Sequence, residues 1–168
     1  MPSKVCVELL SDARLYSLPR READIAFRIK AFAEPEVISR RLVHISYALY
    51  APAEAAITFT AGGTGMHLIT MDTAFAEMPD ARWLKRVLPE SHVVMRSNSR
   101  LVQAELCRQG SGFAVLPRPL GDRIPGIVPI DMGETPPGRD TYVGYHRDLR
   151  RLPRLRTLLD LVIERLAT

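Results

Sequence analysis

The residues best suited to chemistry are Ser97, Asn98 and Ser99, set within the stretch HVVMRSNSRLVQAELCRQGSGFAVLP that runs from His92 to Pro117. Side-chain oxygens of these types accept orphan backbone N–H groups at helix starts, so the trio reads as a helix cap. A second job is compatible with the first. Hydroxyls and unpaired N–H groups at the positive end of a helix dipole suit a carboxylate or a similar anion. Arg28, which leaves the expected strand Ala23 to Phe27 at its carboxyl end, is the best cationic partner for such an anion. Its plainer role is an ordinary surface ion pair.

Other chemistries find little support. The histidines at 44, 67, 92 and 146 lack ligand spacing, so no metal is expected. Gly110-Ser111-Gly112 is too short for a nucleophile elbow, and its serine precedes a strand where the elbow needs one leading into a helix. Glu22 and Asp24 have Arg20, Arg21 and Arg28 close by, which favours ion pairing over acid–base work. The run Ala61-Gly62-Gly63-Thr64-Gly65 lacks both the P-loop ending and GxGxxG spacing, so it reads as a flexible connection. Cys6 and Cys107 form no CxxC pair and read as packed thiols. No cofactor is implied, and nothing demands an enzyme.

Length and composition set the frame. A chain of 168 residues, 46% hydrophobic and 25% charged, is ordinary for a globular protein and long enough to bury a core. Its runs are too short to span a membrane, and no signal-peptide core follows Met1, so the cytoplasm is the expected location and a solute-binding protein is disfavoured. The net charge is +4 and is carried almost wholly by arginine. Arg147, Arg150, Arg151, Arg154 and Arg156 form a basic cluster that could meet phosphates, although a solvated helix entry is the plainer reading.

The elements that must position Ser97 to Ser99 follow from periodicity. His92 to Met95 predicts a buried strand, a helix follows the cap and ends near Gly110, and Phe113 to Leu116 predicts a second buried strand. Together they make a right-handed parallel βαβ unit with its ligand site beyond the strand ends. The helix stripe is uneven: Leu101, Ala104 and Cys107 share one side, Val102 and Leu106 point elsewhere, and Val102 stands where a capping box needs an acid or amide. Upstream, a strand over Lys4 to Leu10, a helical turn over Ser17 to Glu22 and a strand over Ala23 to Arg28 suggest a second parallel unit. Arg41 to Tyr50 reads as one long crossing strand, and Ala55 to Thr60 as another strand. A helix is predicted from Asp80 to Leu88, stopped by Pro89, then an edge piece at Ile127 to Ile130 and a returning strand at Thr141 to His146. Pro153 opens a last helix with Leu155, Leu158, Leu159, Val162, Ile163 and Leu166 on one face. The two long extended segments bracket a middle block. This suggests two α/β lobes, residues 1–49 with 135–168 and residues 50–134, enclosing a ligand cleft.

With those residues in place, the chain resembles the effector-binding domain of LysR-type transcriptional regulators. The resemblance is carried by Arg21 to Ala26, Pro79 to Leu84, Arg96 to Ser99, Gly110 to Pro117 and Tyr145 to Arg151 ahead of the final helix, in the family's order. It implies a type 2 periplasmic-binding-protein-like fold, two α/β subdomains joined by two crossing strands, with a small anionic effector between them. The implied contacts are Arg28, Phe59, Thr60, Ser97, Asn98, Ser99 and Gly112. The family's winged helix-turn-helix, and the first βα unit of its effector domain, have no counterpart here. The expectation is therefore an N-terminally truncated regulatory domain that cannot bind DNA through that module, whose family homo-oligomer is in doubt, and which has no membrane partner. An enzyme on the same two-lobed fold, such as a transferase, is the alternative.

Overall fold

A computed structural model of the chain describes residues 5–55 and 60–166. These fall into two compact units, one made of residues 5–44 with 139–166, the other of the described residues between Ile45 and Gly138. The chain passes between these units at 44/45 and 138/139.

The continuous unit, called unit 2 below, holds a five-stranded sheet. Its strands are β3 (Tyr47–Pro52), β4 (His67–Thr70), β5 (His92–Arg96), β6 (Phe113–Pro117) and β7 (Ile127–Ile130), ordered β5-β4-β6-β3-β7. β4 runs parallel to both β5 and β6, whereas β3 is antiparallel to β6 and β7. Helix α1 spans Pro79–Val87, α2 Arg100–Arg108 and the short α3 Arg118–Gly121. Alternate residues of the central strands go to opposite layers. Tyr47, Leu49, Phe113 and Val115 join Trp83, Leu84 and Leu88 of the α1 side, while Ala48, Tyr50, Ala114 and Leu116 join Ala104 and Cys107 of α2. Cover on both faces is why β3 and β6 read as unbroken apolar runs.

The other unit, unit 1, has a three-stranded sheet of β1 (Ile25–Arg28), β2 (Val37–Ile45) and β8 (Arg139–His146), ordered β1-β8-β2. Helix α4, Pro153–Leu166, packs Leu155 and Leu159 against Leu42 and Val143. Each such buried leucine contributes about 1.5–3 kcal/mol.

Several expectations are corrected. No strand forms over residues 5–10: Val5, Val7, Leu9 and Leu10 are all exposed and nothing pairs with that segment among the described residues. β1 instead pairs antiparallel with β8, so the first residues make no parallel unit. Residues 41–50 are two strands broken at Ser46, one in each unit. β5 is not buried. It is the sheet edge, and all five of its residues are exposed. Between β5 and β6 lies β4, a strand the sequence reading missed, so the βαβ unit steps over a neighbour. Along α2 the buried side is Gln103, Ala104 and Cys107, with Leu101 turned out to solvent. Cys6 is exposed, while Cys107 is buried and its thiol is pushed up to about 12 by burial. The Ala55 to Thr60 strand lies largely outside the described residues, as does Phe59.

Candidate functional site

The site builds from the end of β5. Thr70 and Arg96 are register partners at the carboxyl ends of the parallel β4 and β5. The chain then turns, and the Ser97 N–H donates to the Thr70 carbonyl at 3.0 Å. Arg96 anchors the same corner by donating from Nη1 to the Met71 carbonyl at 3.2 Å.

Within the turn the serine oxygens work as acceptors. Ser97 Oγ takes the N–H of Ser99 at 3.1 Å, and Ser99 Oγ takes that of Val102 at 3.4 Å, the expected helix cap. Each hydroxyl keeps its own hydrogen to donate. The N–H groups of Asn98, Arg100 and Leu101 meet no acceptor among the described residues. Two hydroxyl donors and three amide donors therefore gather at the start of a nine-residue helix, with Asn98 exposed above them. Such a set, at the positive end of the helix dipole, is complementary to a compact anion.

A buried network holds the turn in shape. Gln103 is fully buried and donates from Nε2 to the Ser97 carbonyl at 2.6 Å. Its Oε1 accepts from Arg100 Nη1 at 3.1 Å, and the same nitrogen reaches the Val115 carbonyl at 2.9 Å. Arg100 Nη2 pairs with Asp80 at 2.5 Å, and the guanidinium lies over the Tyr47 ring at 5.4 Å. Burial lowers the pKa of Arg100, but the guanidinium stays charged beside the aspartate, itself only 1% exposed. The network ties the first turn of α1, through Asp80, to the first turn of α2 and to β6. None of its members was singled out from sequence. The available signal was Arg100 and Gln103 at i, i+3, with Gln103 sharing a helix side with Ala104 and Cys107.

The remaining candidates lie elsewhere. Gly112 precedes β6 beside the start of β4, about 10 Å of strand from the turn. A Cβ there would stand 2.6 Å from the His67 carbonyl oxygen, so close backbone approach explains this glycine. Thr60 leads into the same end and gives its hydroxyl to the Thr64 carbonyl at 2.8 Å. The glycine loop it opens is tied down rather than loose: Gly62 accepts from the Glu90 N–H at 3.0 Å, and Gly63 sits tightly under Leu88 and Ser91. A hollow of about 210 Å³ lies at this end of the sheet, lined by His67, Gly112 and Phe113 among others. Arg28 belongs to unit 1, where it donates to the Tyr16 carbonyl at 2.7 Å and to Glu34 at 3.2 Å, and stacks on Phe32 at 4.3 Å. Among the described residues no three potential metal ligands cluster, and no helix is long and apolar enough to cross a membrane.

Comparisons with known proteins add to this geometry. Residues 3–167 match a family model described as the LysR substrate binding domain. CrgA, a LysR-type transcriptional regulator from Neisseria meningitidis, superposes with a TM-score of 0.71 at 21% identity, covering 90% of this chain and 55% of its own. Full-length LysG from Corynebacterium glutamicum, solved with arginine bound as effector, gives 0.64 at 17%, covering 88% and 52%. The CcmR regulatory domain from Synechocystis, solved in complex with 2-PG, gives 0.65 at 13%, covering 89% and 76%. The chain spans about half the length of the full-length regulators it matches. No curated protein sequence matches.

Proposed function

Because the chain belongs to the LysR substrate-binding domain family, a regulatory and effector-binding class, we propose that it senses a small anionic metabolite through the Ser97–Ser99 turn. The observation that carries this reading is the donor set itself: three amides and two hydroxyl hydrogens that meet no acceptor among the described residues, held by the buried network of Gln103, Arg100 and Asp80. A carboxylate is the simplest group that uses it. The arginine effector of LysG shares that group, within a molecule of net positive charge. Binding regulates transcription only if the effector prefers one arrangement of the intact regulator over another. The cytoplasm is the compartment that suits such a sensor.

A transferase-like enzyme is the weaker reading. The ionisable side chains buried beside the turn, Arg100 and Asp80, are paired with each other rather than presented to a substrate. Thermal melting against a library of small carboxylates tests the sensor. A ligand at one hundred times its dissociation constant should stabilise by about 2.7 kcal/mol. Ser97→Ala and Ser99→Ala should each shrink that shift. A folded sample that responds to no ligand class would remove the proposal.

A further inference from the structure

The arginine cluster at the entry to α4 is not used by the effector turn, which lies in the other unit. Residues 147–156 carry five arginines against one aspartate, a balance of +4 that equals the net charge of the whole chain. Arg147 to Arg151 form a 3-10 turn, and Arg154 and Arg156 fall in the first turn of α4, where no acidic residue accompanies them. All five are exposed. Their side chains meet no carboxylate or other acceptor among the described residues. The one acid of the segment, Asp148, is already engaged by Arg21 at 3.3 Å. Arg21 holds this position with a φ of 60°, the only positive value outside glycine among the described residues. Cations at a helix N-terminus repel its dipole, so the fold gains nothing locally from this arrangement.

We propose that this face of unit 1 is a docking surface for the phosphodiester backbone of nucleic acid, bound without regard to sequence. Three observations favour that partner. Guanidinium groups bind phosphate oxygens in a planar, two-pronged way that ammonium groups do not, and the cluster contains no lysine. The segment extends over less than about 20 Å, a length along which a duplex presents on the order of ten phosphate charges, so an extended polyanion engages all five where a single small anion cannot. No large hydrophobic residue between 147 and 156 is exposed, which leaves neither an apolar anchor for a protein partner nor a wedge for a lipid surface. The proposal stands independently of the effector reading.

Fluorescence anisotropy of the full chain with short labelled duplexes of two unrelated sequences tests it. Both should bind alike. With about five phosphates neutralised, affinity should fall by on the order of 500-fold between about 50 and about 200 mM salt. The triple variant Arg150→Gln, Arg151→Gln, Arg154→Gln should flatten the log–log salt slope by about 2.7. Lysine at the same three positions should keep most of it, and Arg82→Gln with Lys85→Gln and Arg123→Gln in unit 2 should leave it unchanged. Because all three targets are exposed, circular dichroism melting should be unaltered. No duplex binding at low salt, an unchanged slope in the glutamine variant, or tighter binding to polyglutamate or anionic vesicles than to the duplex would each overturn the proposal.

Discussion

Replacing Gln103 by leucine is the sharpest probe of the network behind the effector turn. The side chain has no exposed surface, so the substitution acts inside unit 2 alone. Leucine keeps the volume roughly constant but removes three hydrogen bonds: the 2.6 Å donation to the Ser97 carbonyl, the acceptance from Arg100 at 3.1 Å and a weak 3.3 Å donation to Met71 Sδ. A carbonyl in a part-buried bond left without its donor costs about 1–3 kcal/mol, and the lost bond to a charged group about 1.5–3 kcal/mol. The Val115 carbonyl and Asp80 still serve Arg100, so the second figure sits at its lower end. Leucine also spares the amide its own desolvation, which returns about 1–2 kcal/mol. The net expectation is a loss of about 2 kcal/mol. Trp83 is the only tryptophan and is 4% exposed within unit 2, so its fluorescence during urea unfolding reports this unit directly. The midpoint should fall with the slope unchanged. Effector affinity should fall as well, although Gln103 touches no effector, because Ser97 loses its anchor. A midpoint within about 0.5 kcal/mol of the parent chain would show that the network does not hold the turn, and the reasoning would fail.

Two further outcomes follow from neighbouring features. Gly112→Ala places a Cβ 2.6 Å from a backbone oxygen, so β6 must shift relative to β4. We expect a loss of about 1–3 kcal/mol by the same fluorescence assay, and about 1 kcal/mol at Gly110, where a Cβ meets nothing and only the left-handed backbone at φ 83° resists it. Burial holds the Cys107 thiol protonated to about 12 in the folded chain, above its unfolded value near about 8.5. The folded state therefore binds the extra proton, and stability is full below about pH 8.5 and declines as pH rises toward 12. Cys107→Ala should remove that alkaline slope, and a thiol reagent at pH 8 should label Cys6 quickly and Cys107 only on unfolding.

How much of this could be read from the sequence depends on how local the cause is. Ser99 caps α2 because capping needs only the next three residues, and Pro153 starts α4 for the same reason. The apolar run at β5 looked buried because periodicity reports apolarity and not which strand ends up at a sheet edge. β4 has four residues, one of them an exposed histidine, too short for a pattern, yet it sits between β5 and β6. The strand expected over residues 5–10 alternates well enough, but a ladder needs a partner, and none of the described strands supplies one. Gln103 was invisible as part of the site because its partners, Ser97, Arg100 and Met71, come together only after β4, β5 and α2 have packed.

The strand order of unit 1 also bears on how the chain folds. β8 lies between β1 and β2, so the two early strands never touch as neighbours and wait for residues 139–146 before either can join a ladder. Every strand of the sheet in unit 2, by contrast, is complete once residue 130 has been made. Long-range pairings carry a larger entropy cost from the intervening chain, so the sheet of unit 2 can close within 84 residues of chain, Tyr47 to Ile130, whereas that of unit 1 must bring together strands separated by nearly the whole of unit 2.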